Sequence, residues 1–198
     1  MNYLAHAYLS FNNEQILLGN MCSDFIKGKK KFDYAIDIQK GIALHRAIDT
    51  FTDAHATTAE AKQFFKPAVG LYAGAFVDVV YDHFLAIDTK EFYDSVALEK
   101  FSLYTYTILQ QHIEVLPLKF QNLFPYMQKQ NWLYNYQFTW GIERSFEGLV
   151  RRAKYLSSWH EAFEAFNKHY KSLHTCYNIF FPEVKNFAAR QLEQLVNN

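Results

Sequence analysis

The sequence is poor in the residues that mark extracellular, flexible or membrane-spanning proteins. Its two cysteines, Cys22 and Cys176, lie far apart and form no CxxC motif, so neither a zinc ribbon nor a disulfide framework is expected. Seven glycines and four prolines are too few for a long flexible or disordered chain. The sequence also has no positively charged leader and no continuous apolar run of about 18 residues. These absences predict a cytoplasmic protein that does not enter a membrane.

The balance of positive and negative charges and the absence of several known motifs exclude further classes of function. Lys plus Arg and Asp plus Glu number 20 each, so the formal net charge is zero and a nucleic-acid partner is not expected. Only local clusters, above all the basic run at residues 27–31, can attract a charged partner. The chain has no Walker loop, no GxGxxG and no GxSxG, which excludes the usual nucleotide-binding and serine-hydrolase interpretations.

Aromatic residues are abundant, and apolar residues recur with the period of a helix. The 198 residues include 19 Phe and 14 Tyr, enough for one domain with a dense, ring-rich core. Apolar side chains recur at helical spacing over residues 34–52, 68–86 and 91–115, and no alternating strand pattern of usable length occurs. The prediction is an all-α, single-domain helical bundle over residues 1–198, with seven to nine helices.

Several residues mark expected helix boundaries and contacts. Asn13 is typical of a cap before a helix starting near Glu14. One helix is expected to end at Pro67, which would then be the first residue of the next helix. Pro182 is expected to interrupt the last helix. Gly70 and Gly74, four residues apart, predict a close approach of a neighbouring helix.

Two groups of carboxylates and imidazoles stand on predicted helices. His45 and Asp49 are four residues apart and therefore share a helix face. Asp78 and Asp82 repeat this spacing within a mostly apolar helix, and His83 follows directly. If the two helices pack together, these side chains form one carboxylate–imidazole cluster.

Such a cluster needs compensation for its buried charges. A lone buried carboxylate costs several kcal/mol unless a cation or strong donors accompany it. Imidazole and carboxylate ligands suit a divalent manganese, iron or zinc ion, which makes hydroxide available near neutral pH and so favours phosphate-ester hydrolysis. The alternative is a set of buried ion pairs with Arg46, Arg144 or Lys27. His55 is open to three interpretations: an outer ligand, a general acid or a turn residue.

The order and spacing of these motifs resemble one known family. The segments are Met1-Asn-Tyr-Leu-Ala-His6, the Gly-Asn…Asp-Phe-x-Lys-Gly stretch at residues 19–28, the Gly-Ile-x-Leu-His-Arg stretch at residues 41–55, and the Asp-x-x-Tyr-Asp-His stretch at residues 78–86. Together they resemble the acyl carrier protein phosphodiesterase family, which is similar to the HD-domain metal-dependent phosphohydrolases. The resemblance implies an all-helical, HD-domain-like, manganese-dependent enzyme that removes 4′-phosphopantetheine from holo acyl carrier protein in fatty acid biosynthesis.

The resemblance also implies roles for individual residues. Arg46 or Lys27 would bind the phosphoryl group of the substrate, and His55 would protonate the leaving serine oxygen. The implied metal ligands are His6, Asp24, His45, Asp78, Asp82 and His83, with Asp49 and His55 as further candidates. The implied catalytic residues are Asp24, His45, Asp49, His55, Asp82 and His83.

Two alternatives to this activity remain open from the sequence. One is a related phosphohydrolase acting on a nucleotide or another small phosphate ester. The other is a non-catalytic helical module that binds an acidic partner, although all six implied metal ligands are present in the chain. A haem or chromophore protein is a weaker third interpretation, because no histidine has the apolar surroundings that a macrocycle needs.

Overall fold

A computed structural model describes residues 1–197, and the described chain contains α-helices and 3₁₀ turns but no strand. The prediction of an all-α fold is confirmed. The predicted number of seven to nine helices was too low, because eleven α-helices form within residues 1–197. The excess includes α1 and α8, which are too short to show a helical period in the sequence. The helices are α1 (Tyr3–Tyr8), α2 (Glu14–Cys22), α3 (Ile36–Ala54), α4 (Ala56–Val69), α5 (Ala73–Ala86), α6 (Ser95–Gln111), α7 (Leu118–Lys129), α8 (Trp132–Asn135), α9 (Thr139–Arg152), α10 (His160–Lys168) and α11 (Tyr170–Asn197).

Helix α5 lies at the centre of the molecule. Its residues Phe76, Val77, Val79 and Leu85, which point in different directions from the helix axis, are all buried, and α1, α4, α9 and α11 pack around it. Burying large aliphatic and aromatic side chains on every face of a helix is typical of a core element, because each contributes about 1.5–3 kcal/mol. Helix α5 therefore provides a rigid support for the short N-terminal helix that carries one of the site histidines.

Helices α2 and α3 cross at very close range at Gly19 and Gly41. A Cβ on Gly19 would lie 2.1 Å from the carbonyl oxygen of Ile38, and a Cβ on Gly41 would lie 2.3 Å from that of Ile16. Only glycine permits such an approach. The close approach predicted at Gly70 and Gly74 is wrong: a Cβ on Gly74 would meet only a Lys62 side chain, and Gly70 instead adopts a φ of +55° in a 3₁₀ turn.

The predicted helix boundaries are partly confirmed. Asn13 caps α2 as expected, since its side chain accepts a hydrogen bond from the Ile16 amide at 3.1 Å. Pro67 and Pro182, in contrast, lie inside α4 and α11 and end neither helix. A proline inside a helix loses one backbone hydrogen bond. Here the buried neighbours of each proline, such as Phe65, Val69 and Phe181, hold the helix against the core through the disrupted turn.

One segment is long and apolar enough to cross a membrane by length and composition alone. It spans Ala56–Ala86, and 44% of its most apolar window is buried inside the protein. It consists of α4, a 3₁₀ turn at Gly70–Tyr72 and α5. Core helices of soluble proteins pass the same test, so this finding is weak evidence for a membrane.

Candidate metal centre

His6, His45 and Asp49 converge between α1 and α3. Nε2 of His6 lies 3.2 Å from Oδ1 of Asp49, and Nε2 of His45 lies 3.1 Å from Oδ2 of the same carboxylate. The two imidazole rings stack with centroids 3.9 Å apart. Each of the three side chains offers one ligand atom, and these atoms lie within 4.8 Å of one another. The arrangement has the size and the donor types of a divalent-cation site.

Asn20 on α2 orients both histidines. Its carbonyl oxygen accepts a hydrogen bond from Nδ1 of His45 at 2.7 Å, and its side-chain oxygen pairs with Nδ1 of His6 at 2.8 Å. The Asn20 amide group in turn donates to the His6 carbonyl and to Ser10. A proton held on Nδ1 leaves the Nε2 lone pair of a neutral imidazole free, as in most metal-binding histidines. The close α2–α3 crossing beside Asn20 makes this contact possible.

Asp24 opens the cluster to solvent. It lies in the 3₁₀ turn Ser23–Phe25 that follows α2, and its Oδ1 is 3.1 Å from Nε2 of His45. The hydrogen bond from His45 lowers the pKa of Asp24, although partial burial opposes this. Its side chain is 71% exposed, in contrast to the buried histidines. Asp24 is therefore the member of the cluster that an incoming molecule meets first.

The charges within the cluster are strongly coupled. Burial lowers the pKa of His45, but hydrogen bonds to Asp24 and Asp49 outweigh it and raise the pKa to about 9. His6 behaves oppositely, because burial and the neighbouring His45 charge lower its pKa to about 4. Burial would raise the pKa of Asp49, yet the two histidines and the Met1 ammonium hold it well below its usual range. At neutral pH, His45 therefore carries a proton on both ring nitrogens and is positively charged, whereas His6 is neutral.

The Met1 ammonium group joins Asp78 to this cluster. It lies 3.3 Å from Oδ1 of Asp49 and 3.1 Å from Oδ1 of Asp78. Burial lowers the pKa of this ammonium, but the two carboxylates outweigh it and raise the pKa to about 10. Burial raises the pKa of Asp78, with the ammonium opposing the shift. Asp78 thus balances a cation next to the candidate ligands, and in the described part of the chain Arg46, Arg144 and Lys27 form no ion pair with it.

The structure does not bring Asp82 and His83 to the cluster. The carboxylate of Asp82 accepts hydrogen bonds from the amides of Leu4 and Ala5, at 2.7 and 3.2 Å, and so caps the start of α1. Its burial raises its pKa to about 7. His83 points away from Asp82: its Nδ1 donates to the Tyr136 carbonyl and its Nε2 pairs with the Tyr170 hydroxyl. Both side chains use their polar atoms to hold elements together.

His55, Lys27 and Arg46 also lie outside the group of ligand atoms. Nδ1 of His55 accepts from the Thr57 amide and caps α4, and its Nε2 is 3.2 Å from Glu183 on α11. The Arg46 guanidinium donates to the Ile26 carbonyl, two residues beyond Asp24, and so lies on the open side of the cluster. Lys27 follows in the same segment with an exposed side chain.

Sequence reasoning missed Asn20 and the Met1 ammonium as parts of the site, and it named Asp49 only as a further candidate beside the main set of metal ligands. Asn20 carried a usable signal, because it is the polar residue within the apolar, fully buried run Leu17, Leu18, Met21 and Cys22. A buried amide must satisfy its hydrogen bonds nearby. The ammonium carried no signal, since its partners are distant in the sequence.

The residues fit a divalent metal. Nε2 of His6 is buried and has no hydrogen-bond partner of acceptable geometry among the described residues, although a carboxylate oxygen lies 3.2 Å away. A buried polar atom without a partner is unfavourable by about 1–3 kcal/mol, and a cation between His6, His45 and Asp49 would satisfy it.

A family model described as "Acyl carrier protein phosphodiesterase" matches residues 1–184, which include every member of the cluster. The chain belongs to this family. Proteins named acyl carrier protein phosphodiesterase are similar over almost the whole chain. One from Klebsiella pneumoniae is 32% identical over 95% of this chain and 97% of its own length. One from Photorhabdus laumondii is 30% identical over 92% of both chains, and one from Escherichia coli is 29% identical over 96% and 99%.

The acyl carrier protein phosphodiesterase family is a family of phosphodiester hydrolases, so membership makes this chain an enzyme of that class. No solved structure matches the chain.

Proposed function

We propose that this protein is a metal-dependent phosphodiesterase that releases 4′-phosphopantetheine from the serine of holo acyl carrier protein. The observation that carries the proposal is the buried His6–His45–Asp49 group, with an imidazole nitrogen that lacks a partner, inside the region matched by the family model. The names of the relatives support the carrier protein as the substrate class. We further propose a cytoplasmic enzyme, consistent with two buried free cysteines, and manganese as the metal.

Each residue of the cluster has a distinct role in this proposal. His6, His45 and Asp49 would hold the metal through His6 Nε2, His45 Nε2 and the Asp49 carboxylate, with Asn20 fixing the two rings through their Nδ1 atoms. Bound there, a divalent ion supplies Lewis acidity and lowers the pKa of water. Asp24, exposed and next to His45, would orient the attacking water and accept its proton, while solvent water would protonate the serine oxygen that leaves.

Positive charge on the open side of the cluster serves the substrate. Arg46 and Lys27 flank the segment after Asp24 and are available to the phosphoryl oxygens. The 3₁₀ helix Gly28–Asp33 contains three lysines and Phe32, whose side chain is 63% exposed, and Ile36 at the start of α3 is 64% exposed. A basic surface with exposed apolar side chains is complementary to an acidic helical protein such as a carrier protein.

The decisive experiment follows the mass of holo acyl carrier protein after incubation with metal-stripped enzyme, with and without Mn²⁺. Loss of one phosphopantetheine arm only in the presence of the metal is expected. An unchanged mass with Mn²⁺, together with hydrolysis of small phosphate esters, would instead support the small-ester alternative. No hydrolysis of any substrate by the folded, metal-loaded protein would support the non-catalytic binding module.

A further inference from the structure

A second feature of the fold is a long cleft beside the metal centre. It has a volume of about 590 Å³ and lies between α9 on one side and α7 and α8 on the other. Cavities of this size bind small molecules and cofactors. Asn2 and Tyr3 form the end of the cleft nearest α1, the helix that carries His6.

One face of α9 forms the wall of the cleft over its whole length. Gly141, Arg144, Ser145, Gly148 and Arg152 recur at helical spacing on that face and all line the cleft. At 1.5 Å per residue the wall is about 16 Å long, which suits an extended chain better than a compact ring.

Gly148 keeps this wall open. A Cβ on Gly148 would meet no atom within 4 Å. At Gly141, in contrast, a Cβ would lie 2.1 Å from the carbonyl oxygen of Asn135, so only glycine fits at that position. Glycine is unfavourable inside a helix, and no neighbour requires it at position 148. Empty space in the cleft is the feature that this residue preserves.

Aromatic rings line both walls of the cleft. Tyr126 of α7 and Trp140 of α9 are 61% and 44% exposed, and Trp132 of α8 lines the cleft with its ring centroid 6.1 Å from that of Tyr3. The Arg144 guanidinium lies 5.2 Å above the Trp140 ring. Aromatic rings beside amide and hydroxyl side chains suit a flexible chain that alternates methylene, dimethyl and amide groups.

Asn2 and Tyr3 link the cleft to the metal centre. Both line the cleft, and they directly follow Met1, whose ammonium group lies 3.3 Å from Oδ1 of Asp49. Tyr3 also begins α1, the helix that carries His6. The end of the cleft at Asn2 and Tyr3 therefore adjoins the metal cluster.

We propose that this cleft receives the pantetheine arm of the substrate, while the phosphodiester lies at the His6–His45–Asp49 cluster. The inference rests on the proposed function and names the part of the protein that recognises the arm. The arm would extend from Tyr3 and Arg152 along α9 past Gly148, with its dimethyl and methylene groups against Trp132 and Trp140. Recognition of the arm would then be separate from the basic surface at residues 27–31 that meets the carrier protein.

The test fills the cleft at Gly148. Gly148→Phe places a ring in the open space, and Gly148→Ala is the matched control that changes the helix without filling the cleft. For release of the arm from holo acyl carrier protein, kcat/KM of Gly148→Phe is expected to fall at least about tenfold, mainly through KM, and that of Gly148→Ala to stay within about twofold. Hydrolysis of bis(p-nitrophenyl) phosphate, which has no arm, should be equal in all three proteins.

The outcomes separate the two proposals. Wild-type activity of Gly148→Phe toward holo acyl carrier protein would overturn the cleft proposal and leave the proposed function standing. A wild-type enzyme that hydrolyses the chromogenic diester but never releases the arm would overturn the proposed function.

A binding measurement keeps the proposal testable if Gly148→Phe does not fold. Metal-free wild-type protein is titrated with pantetheine, and the emission of Trp132 and Trp140 is followed in a Trp159→Phe background. A saturable change that disappears in Gly148→Phe, or in Trp140→Ala if that variant alone folds, supports the cleft. No change in the wild-type background overturns it.

Discussion

At the scale of single residues, Asp49 is the centre of the candidate site. Its two oxygens face different histidines, and one of them also faces the Met1 ammonium. Three positively charged or proton-bearing groups around one carboxylate explain its low pKa. A metal entering this group would replace a proton on His45 and use the vacant Nε2 of His6.

Asp49→Asn is expected to weaken Mn²⁺ binding by at least about 100-fold, because the substitution removes the central negative charge while keeping the side-chain volume. Asp53→Asn is the matched control, since Asp53 lies one turn further along α3 and only contacts Lys62 at 2.8 Å. Calorimetric titration of the two metal-free variants measures the difference. Equal Mn²⁺ affinity in Asp49→Asn and wild type would remove Asp49 from the ligand set.

Mn²⁺ affinity is expected to rise with pH by about tenfold per unit until the pH approaches 9. The pKa of His45 is raised to about 9, so below that pH the metal must displace its proton, whereas His6, with a pKa near 4, is already neutral. Titrations at pH 7 in buffers with different ionisation enthalpies should show the release of about one proton per ion. Binding without proton release would contradict the protonated state assigned to His45.

At the scale of elements, two contacts position the residues of the site. The α2–α3 crossing brings Asn20 to His45, and the cap that Asp82 provides fixes the start of α1 and therefore His6. Neither contact touches a metal, yet both determine where the Nε2 atoms point. Substitutions that disturb these contacts should first lower the free energy of unfolding.

Gly41→Ala is expected to lower the free energy of unfolding by about 2–3 kcal/mol or more, since its Cβ would lie 2.3 Å from a backbone oxygen that cannot move aside. Gly74→Ala is the control: its Cβ meets only the flexible end of Lys62, so the gain in helix propensity should leave the protein equally or slightly more stable. Urea unfolding curves of both variants decide the matter. Unchanged stability of Gly41→Ala would show that α2 and α3 can separate without cost.

Asp82→Asn should cost about 1–2 kcal/mol of stability while Mn²⁺ affinity stays within about tenfold of wild type, because the carboxylate serves two backbone amides. Asp94→Asn provides a comparison, since Asp94 caps α6 at an exposed site where asparagine is an equally good cap. Thermal unfolding and metal titration are measured on the same samples. A loss of metal binding as large as in Asp49→Asn, with normal stability, would identify Asp82 as a ligand.

At the scale of the whole molecule, the site lies where α1 and α3 meet the core. The fold is therefore not built around the metal. Completely buried phenylalanines such as Phe65, Phe76 and Phe146 form edge-to-face contacts within one large core. The apolar side chains of this core include none of the candidate ligands His6, His45 and Asp49. The metal-free protein should therefore be folded.

Mn²⁺ at about 100 times its dissociation constant should stabilise the protein by about 2.7 kcal/mol, which corresponds to a rise in Tm of about 5–10 °C for a chain of this size. Scanning calorimetry with and without EDTA tests this expectation. Asp49→Asn should show almost no metal-dependent shift. A metal-free protein without a cooperative transition would show that the ion is needed for folding.

Local information in the sequence was sufficient for several features. The helical period of apolar residues predicted the all-α class, the asparagine cap predicted the start of α2, and the spacing of His45 and Asp49 predicted that they share a face. Each of these depends on residues within about one turn of each other. The prolines were misjudged because packing against the core outweighs a local preference.

The sequence by itself determined the helical class, the family and the residue types from which a metal site can be built. Only the tertiary structure decided which of those residues meet. The period of α5 places Asp78 and Asp82 on nearly the same face, yet one faces the Met1 ammonium and the other the amides of α1. His83, the next residue, faces α11. Helical periodicity determines the direction of a side chain relative to its own axis, whereas the partner it meets depends on how distant helices pack.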